Sequence, residues 1–231
     1  MRNLVNHRLL LSVFVSALAC STGLQGTVIL PPGVQQNIAF STVTDTWGWT
    51  LAYQGTYNQA FVPMSTVFAD VIPGGYIMYA ARPVGSSTLT LLAAGPEAVV
   101  RTVTDRHQTT LANGVEWYYN AGSIGFAAEG QAIFQSSADV NSTGFGAGTT
   151  DAFGATRLSW HTNDANQTVQ YGVEPVFLNP GWRAGETASL NLAGDWERLV
   201  FVAAIPEPGA AAVIFGLGAL GLCLARRKRM A

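Results

Sequence analysis

The chain has 231 residues, 12 basic and 14 acidic side chains, and two cysteines, Cys20 and Cys223, near its opposite ends. Two such cysteines exclude a Cys-x-x-Cys redox or zinc pair and leave the stretch between them without a disulfide. With both ends set aside, six arginines (Arg82, Arg101, Arg106, Arg157, Arg183 and Arg198) face 13 carboxylates, a balance near −7 against −2 for the whole chain. A lysine-free acidic body presents no basic stripe to phosphates, which argues against nucleic acid as a partner.

At the N-terminus, Arg2, His7 and Arg8 precede an 11-residue run, Leu9 to Ala19. Ala17-Leu18-Ala19 supplies the small-x-small pattern of a signal peptidase site, so residues 1–19 read as a signal peptide. The expected cut follows Ala19, with an alternative near Gly26. Cys20 stands where a lipoprotein signal places its lipidated cysteine, but Ala17 replaces the leucine usual three residues earlier.

The body, residues 27–203, is long enough for one domain with a hydrophobic core. Short apolar runs alternate with Gly, Pro, Asn and Asp punctuation, and no long 3.6-residue stripe appears. That pattern predicts an all-β domain, an antiparallel two-sheet sandwich or jelly roll. The expected strands are Thr27–Leu30, Trp47–Tyr53, Gly75–Ala81, Thr88–Ala93, Val99–Thr104, Glu116–Tyr119, Gln131–Gln135, Thr156–Trp160, Val169–Phe177, Ala188–Leu192 and Arg198–Ala203. Within 55–72, Tyr57, Phe61, Met64 and Phe68 fit one short helix that Pro63 limits. Asn113-Gly114 tolerates the positive φ angles of a two-residue hairpin turn and should join Thr109–Ala112 to Val115–Tyr119. Asn141 to Gly154 is glycine-rich and reads as a long surface loop.

The tail departs from this pattern. Ile205-Pro206-Glu207-Pro208 leads into 17 residues without a charge, Gly209 to Ala225, and then into Arg226-Arg227-Lys228-Arg229. As a helix, 17 residues reach about 26 Å, near the lower limit for a bilayer's hydrocarbon. The prolines lack the N–H that a continuing helix needs and mark its start. The basic cluster would remain cytoplasmic. Residues 209–225 therefore read as a C-terminal transmembrane helix.

Pro206-Glu207-Pro208, the short apolar helix and the Arg-rich end, together with an N-terminal signal peptide, resemble the PEP-CTERM sorting signal of bacterial exported proteins. The resemblance covers residues 205–229. It implies recognition by an exosortase, a membrane-embedded transpeptidase, with cleavage near Pro206-Glu207-Pro208. It also implies signal peptidase as a second processing enzyme, an inner-membrane intermediate, and a final place at the cell surface or in the extracellular matrix. The stretch Gly181-Trp182-Arg183-Ala184-Gly185 … Asp195-Trp196-Glu197-Arg198, with Arg157 to Thr162, is similar to one that recurs in surface proteins with this signal; no activity attaches to it. Trp182 and Trp196 are expected to pack on a sheet, and Glu186, Asp195 and Glu197 are candidate ion-pair partners for Arg183 and Arg198.

Residues that could carry chemistry are sparse. His107 and His161 lie 54 positions apart, too few and too far for a metal triad to be read from sequence. No Gly-x-Ser-x-Gly elbow is present. Glu116, Glu129, Asp139, Glu174 and Glu186 could supply the acid pair of a glycoside hydrolase, but nothing marks two of them as facing partners. Asp139-Val140-Asn141 and Asn163-Asp164-Ala165-Asn166 are oxygen-rich loops suited to Ca²⁺, without the spaced ligands and distal Glu of an EF-hand; no cofactor is expected. Trp47, Trp49, Trp117, Tyr118 and Tyr119 would form a sugar-stacking platform if exposed together, although alternation on strands favours core packing. The leading expectation is a non-catalytic exported envelope or matrix protein. A polysaccharide-binding module and a secreted hydrolase with an unrecognised site are the alternatives.

Overall fold

The computed structural model describes residues 28–59, 63–105, 108–119, 123–131, 133, 154–161, 183–187, 190 and 193–205. These residues form two antiparallel sheets. In chain order the elements are β1 (Gln35–Ala39), a π-helical turn (Thr42–Thr46), β2 (Thr50–Thr56), α1 (Met64–Val67), β3 (Tyr76–Pro83), β4 (Thr88–Pro96), α2 (Glu97–Val100), β5 (Thr110–Ala112), β6 (Val115–Tyr119), β7 (Ser123–Ala128), a 3₁₀ turn (Gly154–Thr156), β8 (Leu158–His161), β9 (Arg183–Ala184) and β10 (Trp196–Ala203). One sheet runs β1-β4-β3-β10-β2, the other β5-β6-β7-β8-β9.

Side-chain alternation sets the layers. On β3, Ile77, Tyr79 and Ala81 face the second sheet. They meet Trp117, Phe126, Leu158 and Trp160 in one buried cluster. Tyr79 lies 4.9 Å from Trp160 and 5.7 Å from Trp117, centroid to centroid. Large aromatic side chains buried this fully contribute on the order of 1.5–3 kcal/mol each. The other residues of β3, Met78 and Ala80, point outward and join Leu89, Leu199 and Phe201 in a second cluster. That face is covered by Val43 of the π-turn and by Trp49. The central strands β4, β3 and β10 of the first sheet are therefore buried on both faces, which explains why β4 and β10 read as near-continuous apolar runs rather than clean alternations.

The expected sandwich-like architecture is present, with corrections at several elements. Val28–Leu30 is a lead-in and not a strand: the Ile29 N–H donates to the Trp47 carbonyl at 3.0 Å, outside any ladder. Val99–Thr104 is no strand either, because Pro96 caps a helical turn at Glu97–Val100 and Arg101 pairs with Glu97 across it at 2.8 Å. Gln131 and Ile133 lie outside the strands. Three strands escaped prediction, β1, β7 and the two-residue β9, and Leu190 of the expected strand Ala188–Leu192 lies outside the strands. The short helix appears as α1, with Pro63 at its N-cap. The Asn113-Gly114 turn is as predicted, with φ of 54° and 73°.

Among the described residues no helix is long and apolar enough to cross a membrane. The expected signal peptide with Ala17, Ala19 and Cys20, the sorting motif Pro206, Glu207 and Pro208, the helix 209–225 with Cys223, and Arg226 to Arg229 all lie outside them. So do the expected strand Val169–Phe177 and both oxygen-rich loops.

Candidate functional site

The candidate site is the pole at which the described chain enters and leaves. β2 starts at this pole, where Thr50 pairs with Val202, and β10 ends here, where Ala203 pairs with Tyr76. The lead-in from Val28 is fastened beside them. The Trp49 indole N–H donates to the Ile29 carbonyl at 2.9 Å, and the Ile29 N–H reaches Trp47. The turn after α1 closes the third side, with the Gly75 N–H donating to the Ile72 carbonyl at 2.9 Å.

These segments surround an open cleft of about 470 Å³ lined by Val28, Leu51, Asp70, Ile72, Val202 and Ala204, among others. Its walls are mostly apolar. Asp70 is the ionisable side chain of the lining, and it is exposed. Three large apolar side chains are exposed at this pole: Ile72 of the lining at 44%, and Ile29 at 45% and Ile205 at 49%, each one residue from it. Ile29 and Ile205 directly follow Val28 and Ala204, which line the cleft together with Ile72.

The opposite pole holds the buried charge. Glu197 is ion-paired with Arg82, and its second oxygen accepts from the Gln54 amide at 2.6 Å. Arg82 also donates to the Ser86 carbonyl at 2.7 Å and lies 4.5 Å from the Phe40 ring centroid. The expected Arg198–Glu197 partnership is corrected here. Neighbours on a strand point to opposite faces, so Glu197 joins Arg82 on the outer face while Arg198 turns between the sheets. Arg198 donates to the Tyr53 hydroxyl at 2.8 Å and sits 5.8 Å from the Trp160 ring centroid. Burial is the main cause lowering its pKa. Beside it the Trp160 indole N–H donates to the Tyr57 hydroxyl at 3.0 Å, and that hydroxyl donates to the Arg183 carbonyl at 3.3 Å. Arg183 is itself buried and donates to the Gly185 carbonyl at 3.4 Å, whereas Glu186 is exposed. Trp196 packs against the inter-sheet core as expected; Trp182 is outside the described residues.

The other sequence candidates are dispersed. Trp49, Trp117, Tyr118 and Tyr119 are buried, and Trp47 packs half-buried against the outer cluster, so these rings do not form an exposed stacking strip. Glu116 accepts from the Thr109 hydroxyl at 2.6 Å and the Gly130 N–H at 3.3 Å, partners that hold a hairpin together. The backbone of His161 pairs with Ser123. His107, Asp139 and Glu174 lie outside the described residues. Among the described residues no group of three or more His, Cys, Asp or Glu is placed to hold a metal ion.

Comparison with known protein families, with curated proteins and with solved structures yields no match.

The isoleucine rim was missed from sequence, although a signal existed. Ile72 and Ile205 directly precede prolines, and Ile29 stands two before Pro31. A residue before proline is pushed to extended backbone, and proline itself brings no N–H to a sheet ladder. An isolated isoleucine at such a place is poorly suited to a ladder and apt to stay on the surface.

Proposed function

We propose that the chain is an exported β-sandwich that is held at a membrane by residues 209–225 and released or reattached by cleavage near Pro206-Glu207-Pro208. Its role in this reading is non-catalytic, in the cell envelope or extracellular matrix. The observation that carries it is the tail itself: a proline-flanked acid, 17 uncharged residues and four basic ones in succession. The fold is compatible with that use. β10 ends at Ala203, so only two described residues, Ala204 and Ile205, separate the last strand from the motif. A cut at 206–208 would leave every strand of both sheets intact.

Intact mass of the surface or secreted protein tests this reading. The expected species lacks residues 1–19, or 1–26, and ends near Pro206-Glu207-Pro208. A mature species retaining Arg226–Arg229 would overturn exosortase processing.

A further inference from the structure

We infer that the isoleucine-rimmed pole is a membrane-docking face, seated on the lipid headgroups of the bilayer that holds the tail. The inference rests on the reading of residues 209–225 as a membrane span and goes beyond it, since a span alone does not fix how the folded body stands.

The argument begins with chain length. Three residues, Pro206 to Pro208, separate Ile205 from Gly209, where the uncharged stretch begins. An extended chain covers at most about 3.6 Å per residue, so Ile205 lies within roughly 14 Å of the start of that stretch. The headgroup region accounts for the difference between a hydrocarbon core of ~30 Å and a whole bilayer of ~40–45 Å. The pole is thus confined to the lipid surface or immediately above it.

The surface at that pole is suited to the confinement. Ile72 lines one apolar cleft, Ile29 and Ile205 each stand one residue from its lining, and all three are nearly half exposed. Scattered exposed apolar residues need no explanation, but a cluster at the chain's exit does. Charge does not oppose contact strongly: Asp70 is the ionisable lining residue, and Glu97, whose carboxylate accepts from the Gly74 N–H at 3.3 Å, is offset by Arg101. At the far pole, by contrast, Val84 is exposed on the β3–β4 hairpin. It serves as an internal control.

The test uses the full chain in vesicles of phosphatidylethanolamine and phosphatidylglycerol, with spin labels on single cysteines. Cys223 is labelled in a Cys20→Ser variant. Ile72→Cys and Val84→Cys are each labelled in a Cys20→Ser, Cys223→Ser background. Relative to the label at 84, the label at 72 is expected to show a several-fold higher ratio of oxygen to nickel-chelate collisions. Adding Ile29→Ser and Ile205→Ser should return it to the value at 84 while Cys223 stays in lipid. Equal, water-like values at 72 and 84 with Cys223 in lipid would overturn the docking face alone. Spin–spin broadening at 72 that disappears on dilution with unlabelled chain would overturn it in favour of a second copy as the occupant. A water-exposed Cys223 would bring down the docking face and the membrane reading together.

Discussion

Tyr79 shows what dense packing costs a polar atom. Its ring is buried among Phe68, Trp117 and Trp160, and its hydroxyl is buried with no hydrogen-bond partner among the described residues. A buried hydroxyl without a partner carries a desolvation penalty of about 1–3 kcal/mol. Tyr79→Phe is therefore expected to be neutral or stabilising by up to about 1 kcal/mol, read as the urea midpoint at unchanged slope. Burial, with Tyr119 as the next cause, raises the Tyr79 pKa well above 10.0. The unfolded chain ionises first, so the stability linked to this group is complete below pH ~10 and is lost as pH rises through the folded value. Tyr79→Phe should flatten that alkaline decline. Glu197 presents the opposite case, a buried charge with its partners in place. Glu197→Ala strands Arg82 beneath Phe40 and is expected to cost about 3–5 kcal/mol. Arg82→Met with Glu197→Leu should recover most of the loss, because it removes both charges from the same covered site. A double variant no better than Glu197→Ala alone would refute this account.

Elements were legible where local chemistry and tertiary setting agreed. The Asn113-Gly114 turn is the clearest instance, and the structure adds a second duty. The Asn113 side-chain amide donates to the Pro31 carbonyl at 2.7 Å and to the Ala94 carbonyl at 2.9 Å. One turn residue thus ties the second sheet to β4 of the first and to the lead-in. Asn113→Gly keeps the backbone geometry and loses both bonds, an expected cost of about 2 kcal/mol. Asn113→Ala keeps a Cβ at positive φ without asparagine's tolerance of that region, and should cost about 1 kcal/mol more than Asn113→Gly. Chemical denaturation of the two variants separates the terms; equal costs would show that φ is not a factor. β1 was illegible because Gln35-Gln36-Asn37 carries no apolar alternation. It is an edge strand, kinked at Asn37 with φ of 54°, which hinders pairing with another chain. β7 was hidden by its small residues. A side chain at Gly125 would collide with the Leu158 carbonyl and the Tyr118 hydroxyl, so a residue that resembles a breaker is required for strand contact. Val99–Thr104 misled because β-branched residues follow a proline N-cap, and the cap decided the local structure. At the candidate site, the tail's composition was readable directly. The pole was not, since Ile29, Ile72 and Ile205 are far apart in sequence and are brought to one end of the sheet only through the pairing of β10 with β2 and β3.

The whole molecule divides its amines and its charges unevenly, and that division tests its handling in the cell. The only lysine is Lys228, inside the basic cluster of the tail, and the body carries six arginines against 13 carboxylates. Arginine does not react with amine reagents at neutral pH, because it stays protonated, whereas an α-amino group with a pKa near ~8 reacts readily. A chain trimmed only at its N-terminus therefore carries two reactive amines, the new terminus and Lys228. A chain also cut near Pro206-Glu207-Pro208 carries one. Denatured, amine-labelled protein from the cell surface or medium is expected to bear a single label per chain, counted by intact mass. It should also focus at a more acidic position than a chain trimmed only at its N-terminus, because four basic residues leave with the tail against at most one carboxylate. Two labels with an unshifted focusing position would mean that the tail persists, and the sorting reading would fail. A single label found on the N-terminal peptide of a proteolytic digest places the amine at the new N-terminus and excludes an acylated Cys20, which would leave a doubly processed chain with no reactive amine. The same stoichiometry then reports both ends of the molecule, because the folded body between them contributes no amine of its own.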